Sequence, residues 1–245
     1  MIDIAKWASV LCYPRVVEEE LRARLREAED LGVEDLVDRG RVLIGSTRVL
    51  GKGCVGIVVE AVVSSKKAVL KIRRVDADRR SLESEAAMLM RANELGVGPR
   101  LLKHSRNFLV MELVEGPHLQ EWLSAVEEEP INRVKDVVAS LLTQCYKLDA
   151  AGLDHGELSR AGRHVIVSPG GPVIVDFESS SLSRRPRNLP SIVQYLMVRS
   201  GEWPRLSKRL NARVSCEEVF ALLRDYKRRP SKECLEDLIN LLNLA

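Results

Sequence analysis

The chain has 245 residues, 45% hydrophobic and 30% charged, which is enough apolar mass for a core under a well-solvated surface. A net charge of +3 is too slight to mark nucleic acid as a partner, and no apolar run approaches the roughly 18 residues of a membrane helix. The opening Met1-Ile2-Asp3-Ile4 lacks the basic head and apolar stretch of a secretory signal, so a cytoplasmic protein without a membrane role is expected. The five cysteines form no CxxC pair, which argues against a structural zinc site and for reduced thiols. Glutamine occurs only at 120, 144 and 194 while Arg and Glu abound, a leaning towards a thermophilic source.

In chain order, Pro14 precedes an amphipathic helix over 15–30, with Val17, Leu21, Leu25 and Ala28 on one face. A second short helix is expected at Val33–Val37. From Thr47 the texture becomes β-branched. Strands are predicted at Arg48–Leu50, Ile57–Val63 and Ala68–Ile72, the last two separated by Ser64-Ser65-Lys66-Lys67. A helix over 79–95 closes at Gly96, and strands follow at Leu101-Leu102 and Phe108–Val114. The second half reads as helical at Leu119–Ala125, Ile131–Ala151, Ser191–Arg199, Cys216–Tyr226 and Ser231–Leu244. The exception is a hairpin, His164–Val167 and Pro172–Asp176, joined by Ser168-Pro169-Gly170-Gly171.

Three groups of residues carry chemistry. Gly51-Lys52-Gly53-Cys54-Val55-Gly56-Ile57-Val58 fits G-x-G-x-x-G-x-V. A β-branched run follows it rather than a helix, so the glycines sit in a strand–turn–strand whose backbone N–H groups can approach phosphates. Next comes Lys71, a strand lysine that alternation places on the face of Val69. In the following helix Leu82, Glu85, Ala86 and Leu89 share one face, and a carboxylate there needs a partner; Lys71 is the natural one. Glu83 falls off that face. The third group is a pair of loops, Asp154-His155-Gly156-Glu157-Leu158-Ser159 and Asp176-Phe177-Glu178. The hairpin between them brings them side by side, so one acid can orient a hydroxyl while the other holds a metal. Two basic clusters, Arg184 with Arg185 and Arg187, and Lys227-Arg228-Arg229, suit a solvated surface; the first could instead dock RNA or an acidic partner.

The order Gly-rich turn, strand lysine, helix glutamate, hinge, H-x-[D/E] loop and D-F-x loop resembles the protein-kinase-like superfamily. It looks closest to small archaeal serine/threonine kinases related to the RIO and tRNA-modification-associated kinases. The resemblance spans about residues 45–200. It implies an α+β, two-lobed fold: a helical leader over 1–44, an N-lobe over 45–115 with five antiparallel strands and one main helix, and a short, mainly helical C-lobe over 116–245. It also implies ATP and Mg2+. Gly51, Gly53 and Gly56 would cover phosphates, and Lys71, fixed by Glu85, would position them. Val58 and Ala68 would wall the adenine, with Met111, Glu112 and Val114 as hinge. Asp176 would hold Mg2+ with help from Ser159, His164 or Glu178, and Glu157 would orient the acceptor hydroxyl. Glu157 stands where most kinases have Asp, and Gly162 stands at the spacing of the usual metal-binding Asn. The expected activity is transfer of phosphate from ATP to a protein hydroxyl. The alternatives are a small-molecule kinase of the choline or aminoglycoside type, and an ATP-binding scaffold without catalysis.

Overall fold

A computed structural model of the chain describes residues 2–228 and 230–245; Met1, and Arg229 of the second basic cluster, lie outside the described residues. The chain divides into two compact units, one reaching to residue 90 together with 99–113, the other comprising 91–98 with 114–245.

The first unit opens with helices α1 (Ile4–Leu11), capped by the Asp3 side chain, and α2 (Glu18–Asp30). Eight strands follow in chain order. They are β1 (Val33–Val37), β2 (Val42–Ile44), β3 (Thr47–Val49), β4 (Gly51–Lys52), β5 (Gly56–Val63), β6 (Lys66–Arg73), and, after α3 (Glu83–Glu94), β7 (Leu101–His104) and β8 (Phe108–Glu112). Five of them form an antiparallel sheet in the order β1-β5-β6-β8-β7, and the two-residue β4 also pairs with β5. Alternation sorts the side chains. Ile57, Val59, Ala61, Ala68, Leu70, Ile72, Phe108 and Val110 join Trp7, Val10, Leu11, Leu21 and Ala28 in one core. Leu109 and Met111 turn the other way, towards Val55, Leu82 and Ala86. Each fully buried Val, Leu, Ile or Phe side chain among them contributes about 1.5–3 kcal/mol.

Two expectations are corrected. Val33–Val37 is a strand, paired with β5 from Val33↔Val63 to Val37↔Glu60. The register shifts between Val33 and Asp35, and that bulge spaces the buried Val33 and Leu36 three apart, which mimics a helical pattern. Residues 47–49 pair with β2 in a separate hairpin, so β1 takes the edge place in the sheet that Arg48–Leu50 was expected to fill. Helix α1 is only eight residues long, too short to display a helical period in the sequence. The α+β class with an antiparallel five-strand sheet and a helical C-terminal half holds.

The second unit is built round α5 (Ile131–Ala150), whose stripe Val134, Val138, Leu141, Cys145 and Leu148 is buried as expected. Before it runs α4 (Leu119–Ser124). After it come the hairpin β9 (Val165–Ser168) and β10 (Gly171–Ile174), then α6 (Asn188–Gln194), which continues into a wide turn over Tyr195–Arg199. The chain ends in α7 (Trp203–Leu210), α8 (Cys216–Arg228) and α9 (Lys232–Leu241); β10, α6, α7 and α9 all pack on α5.

Candidate functional site

In the first unit the glycine turn joins β4 to β5. Gly51 pairs with Val58, and the N–H of Gly53 donates to the carbonyl of Gly56 at 2.8 Å. Val58 is in register with Lys71, and Gly56 lies two residues before it on the same face. A Cβ at Gly56 would fall 2.9 Å from Lys71 Cε and 3.1 Å from Lys71 Cγ. Glycine at 56 therefore leaves the lysine stem its path beneath the turn.

Lys71 Nζ meets Glu85 Oε1 at 2.8 Å, with both side chains almost wholly buried. Leu109, opposite Lys71 in register, clusters with Val55, Met111, Leu82 just ahead of α3 and Ala86 on it. Glu83, off this face, accepts from the Ser81 hydroxyl at the surface. Ala68 does not share the face of Lys71. It lies three residues away, opposite Glu112 in register, and packs in the core beside α1 and α2. Its assignment to the adenine wall is corrected: Val69, paired with Met111 and half-buried, occupies that side. The amide of Glu112 donates to the carbonyl of Arg100 at 3.0 Å, so any hinge contact from Glu112 is through its carbonyl.

In the second unit the two acid-bearing loops are joined by paired backbone bonds between Asp154 and Ser181 at 2.9 and 2.8 Å. His155 is wholly buried between them, edge-on to Phe177 at 4.9 Å. Its Nε2 lies 3.1 Å from the Val175 carbonyl, which can only accept, so Nε2 carries the proton and Nδ1 accepts from the Glu157 amide at 3.4 Å. Burial, reinforced by nearby His164, lowers the His155 pKa to about 4. Neutral His155 is thus a structural spacer beneath the loop. Glu157 itself is half-buried, and the Ser179 hydroxyl donates to its Oε1 at 3.3 Å.

Asp176 has left-handed backbone angles, φ 68° and ψ 74°, a region uncommon outside Gly but one that Asp tolerates better than most residues. Its side chain is 41% exposed, and its Oδ2 lies 3.6 Å from His164 Nδ1. Glu178 follows in the 3₁₀ turn Phe177–Ser179, and Ser159 sits in the turn Leu158–Arg163. Among the described residues no three His, Cys, Asp or Glu side chains converge on a metal position. Gly162 is buried against Tyr195 and Gln120, and a Cβ there would collide with the Tyr195 hydroxyl, so this position cannot supply a metal ligand. Of the arginine cluster, Arg184 binds Asp154 at 2.9 Å and the Ser179 carbonyl. Arg185 bonds to the carbonyls of Lys227 and Arg228, and Arg187 is exposed.

One feature went unread in the sequence. Asp149, on the last turn of α5, is buried and accepts from the amides of Asn188 and Leu189, from Asn188 Nδ2 and from the Tyr226 hydroxyl, all at 2.8–3.0 Å. Asn188 Oδ1 in turn accepts the His155 amide at 2.9 Å. Burial raises the Asp149 pKa, its four hydrogen bonds oppose the shift, and burial beside Asp149 raises that of Tyr226. This network fixes the backbone that presents Glu157. The signal was a carboxylate one step from Leu148 on a buried stripe, the same kind of clue that singled out Glu85.

Comparisons with known proteins bear on the family rather than on individual site residues. A model of the RIO domain matches residues 60–190, more than half of the chain. An uncharacterized protein of Methanocaldococcus jannaschii, MJ1211, is 27% identical over 124 residues, which is 50% of this chain and 99% of that one. No helix among the described residues is long and apolar enough to cross a membrane. A RIO domain points to an atypical serine/threonine kinase, an ATP-dependent phosphotransferase. The chain belongs to the RIO-domain family of the protein-kinase-like superfamily.

Proposed function

We propose that this protein transfers the γ-phosphoryl group of ATP to a serine or threonine hydroxyl of a protein. The observation that carries the reading is the buried Lys71–Glu85 pair on the sheet face that also bears Gly56 and Val58. A lysine held this way keeps its charge in one place, which suits the α- and β-phosphates. Gly51, Gly53 and Gly56 let backbone amides approach the phosphates without a side chain in the way. Val58, Val69 and Met111 offer apolar contact to the purine, and the Glu112 carbonyl and Val114 amide supply an acceptor and a donor for its edge.

Asp176 is the acid proposed to hold Mg2+, with His164, Glu178 or Ser159 proposed to assist. Mg2+ is commonly held by one or two carboxylates, with water and phosphate oxygens completing its shell, so a sparse ligand set fits it. When bound, the ion would neutralise charge on the phosphates. Glu157, half-buried and already accepting one hydroxyl hydrogen bond, is proposed to orient the acceptor hydroxyl and take its proton. Arg187, exposed and with its amide donating to Asp154 Oδ1 at 3.3 Å, suits an acceptor flanked by acidic groups.

The test is incubation of the full chain with labelled ATP and Mg2+, using candidate acceptor proteins and the chain itself. Transfer should fall to background in Lys71→Ala and in Asp176→Ala. Equal labelling by the parent and both variants would remove the support for an enzyme.

A further inference from the structure

The glycine turn is tied to a residue far from it in sequence. Tyr13 follows α1, and Lys52, between Gly51 and Gly53, donates from Nζ to the Tyr13 hydroxyl at 2.8 Å. The same ammonium lies 4.7 Å from the centroid of the tyrosine ring. Arg74 stands 5.0 Å from that centroid, and its Nη1 donates to the carbonyl of Gly53 at 2.9 Å. Backbone bonds close the assembly. The Val75 amide donates to the Tyr13 carbonyl at 2.9 Å, and the Arg74 amide to the Val55 carbonyl at 2.8 Å. Asp76 holds the Arg74 guanidinium through two bonds of 2.8 and 2.6 Å, and these raise the arginine's pKa.

The turn is thus gripped at Lys52 by Tyr13, and at Gly53 and Val55 by Arg74, which itself lies against Tyr13. A turn with three glycines in six residues loses much conformational entropy when ordered. Contacts that order it beforehand lower the cost a ligand must meet. Tyr13 also fixes where the Lys52 charge sits, at the turn expected to lie over phosphates.

We infer that Tyr13 is a positioning residue for the nucleotide, bracing the glycine turn from the N-terminal segment; this rests on the nucleotide reading given above. The residue touches neither the phosphates nor the acceptor in this role. It acts through Lys52 and Arg74, so it should govern ATP affinity and leave the chemical step alone.

The experiment compares the full chain with Tyr13→Ala and Tyr13→Phe, with Lys71→Ala as a marker of the nucleotide site. ATP affinity is measured by calorimetry, kcat and KM by phosphate transfer, and the turn by hydrogen exchange of the amides of residues 52–55. Tyr13→Ala should weaken ATP binding about tenfold at constant kcat, as expected from losing one charged hydrogen bond and the ring contacts. Tyr13→Phe keeps the ring, so its loss should be about threefold. Exchange should quicken at the turn and stay unchanged along β5 and β6. Unchanged turn exchange in Tyr13→Ala overturns the brace whatever ATP does, and so does equal loosening of β5 and β6. A fall in kcat at constant KM also overturns it. If Lys71→Ala binds ATP as tightly as the parent, it is the nucleotide reading that fails, and turn exchange alone then decides whether Tyr13 braces.

Discussion

In the first unit the group proposed to meet phosphate is fixed by direct contact. Lys71 and Glu85 are both buried and 2.8 Å apart, on two elements that share a core. In the second unit the proposed acids stay wet: the Asp176 side chain is 41% exposed and Glu157 is half-buried. What is fixed there is the backbone beneath them, through Asp149, Asn188 and neutral His155. The contrast has a physical basis. A lysine that only supplies charge gains from a dry, constant setting, where its field is strong. An acid that must trade protons and exchange metal or acceptor needs access to water, so its order must come from one layer below.

Substitutions can break this contrast, and the stability changes should rank accordingly. Lys71→Met removes the ammonium from a buried carboxylate and should cost about 3–5 kcal/mol in urea unfolding, with phosphate transfer lost. Pairing it with Glu85→Leu should restore most of the stability and none of the transfer. Equal stability of Lys71→Met and the parent would mean that the pair is not dry.

The next largest effect is on pH. His155 binds a proton near pH 6.5 when unfolded but only near pH 4 when folded. Between those values the unfolded chain holds the extra proton, so stability rises with pH there. Below about 4 both states are protonated and this contribution to the slope vanishes; above about 6.5 both are neutral. The full span is worth about 3 kcal/mol. Unfolding measured from pH 4 to 7 should show that much more dependence in the parent than in His155→Gln, and matching profiles would refute the assignment.

Tyr226→Phe deletes one hydrogen bond to the Asp149 carboxylate and should cost about 2 kcal/mol, with a lower kcat and an unchanged KM for ATP. Smallest is Glu157→Gln. It should change unfolding by less than about 0.5 kcal/mol while cutting transfer by about a hundredfold or more. A large stability loss there would show that Glu157 is structural and erase the difference between the units.

Much of the first unit was legible because its signals are local. The glycine turn, the strand lysine and the glutamate on an apolar helix face all declare themselves within one or two elements. Ala68 was misplaced although alternation from Lys71 already pointed to Val69 as its face-mate. Val33–Val37 was misread because a bulge gives a strand the spacing of a helix. Asp149 itself left a signal beside the buried stripe of α5, but its partners did not: they lie 39 and 77 residues away, on α6 and α8, and no periodicity links them. The brace at Tyr13 is likewise a product of chain return, with Lys52 coming back 39 residues later.

Strand β5 lends one side to β6 and the other to two short guests, β4 near Val58 and β1 from Glu60 to Val63. The RIO match begins at residue 60, inside this strand. A fragment excised at that boundary would carry half a strand with a bare flank of amides and carbonyls, next to apolar side chains that had lost α1 and α2. Such a flank is a template for adding further copies of itself. The segment ahead of the family match therefore gives this flank of β5 its own partners and covers the apolar face beside it, and shortened versions are expected to be recovered as insoluble assemblies.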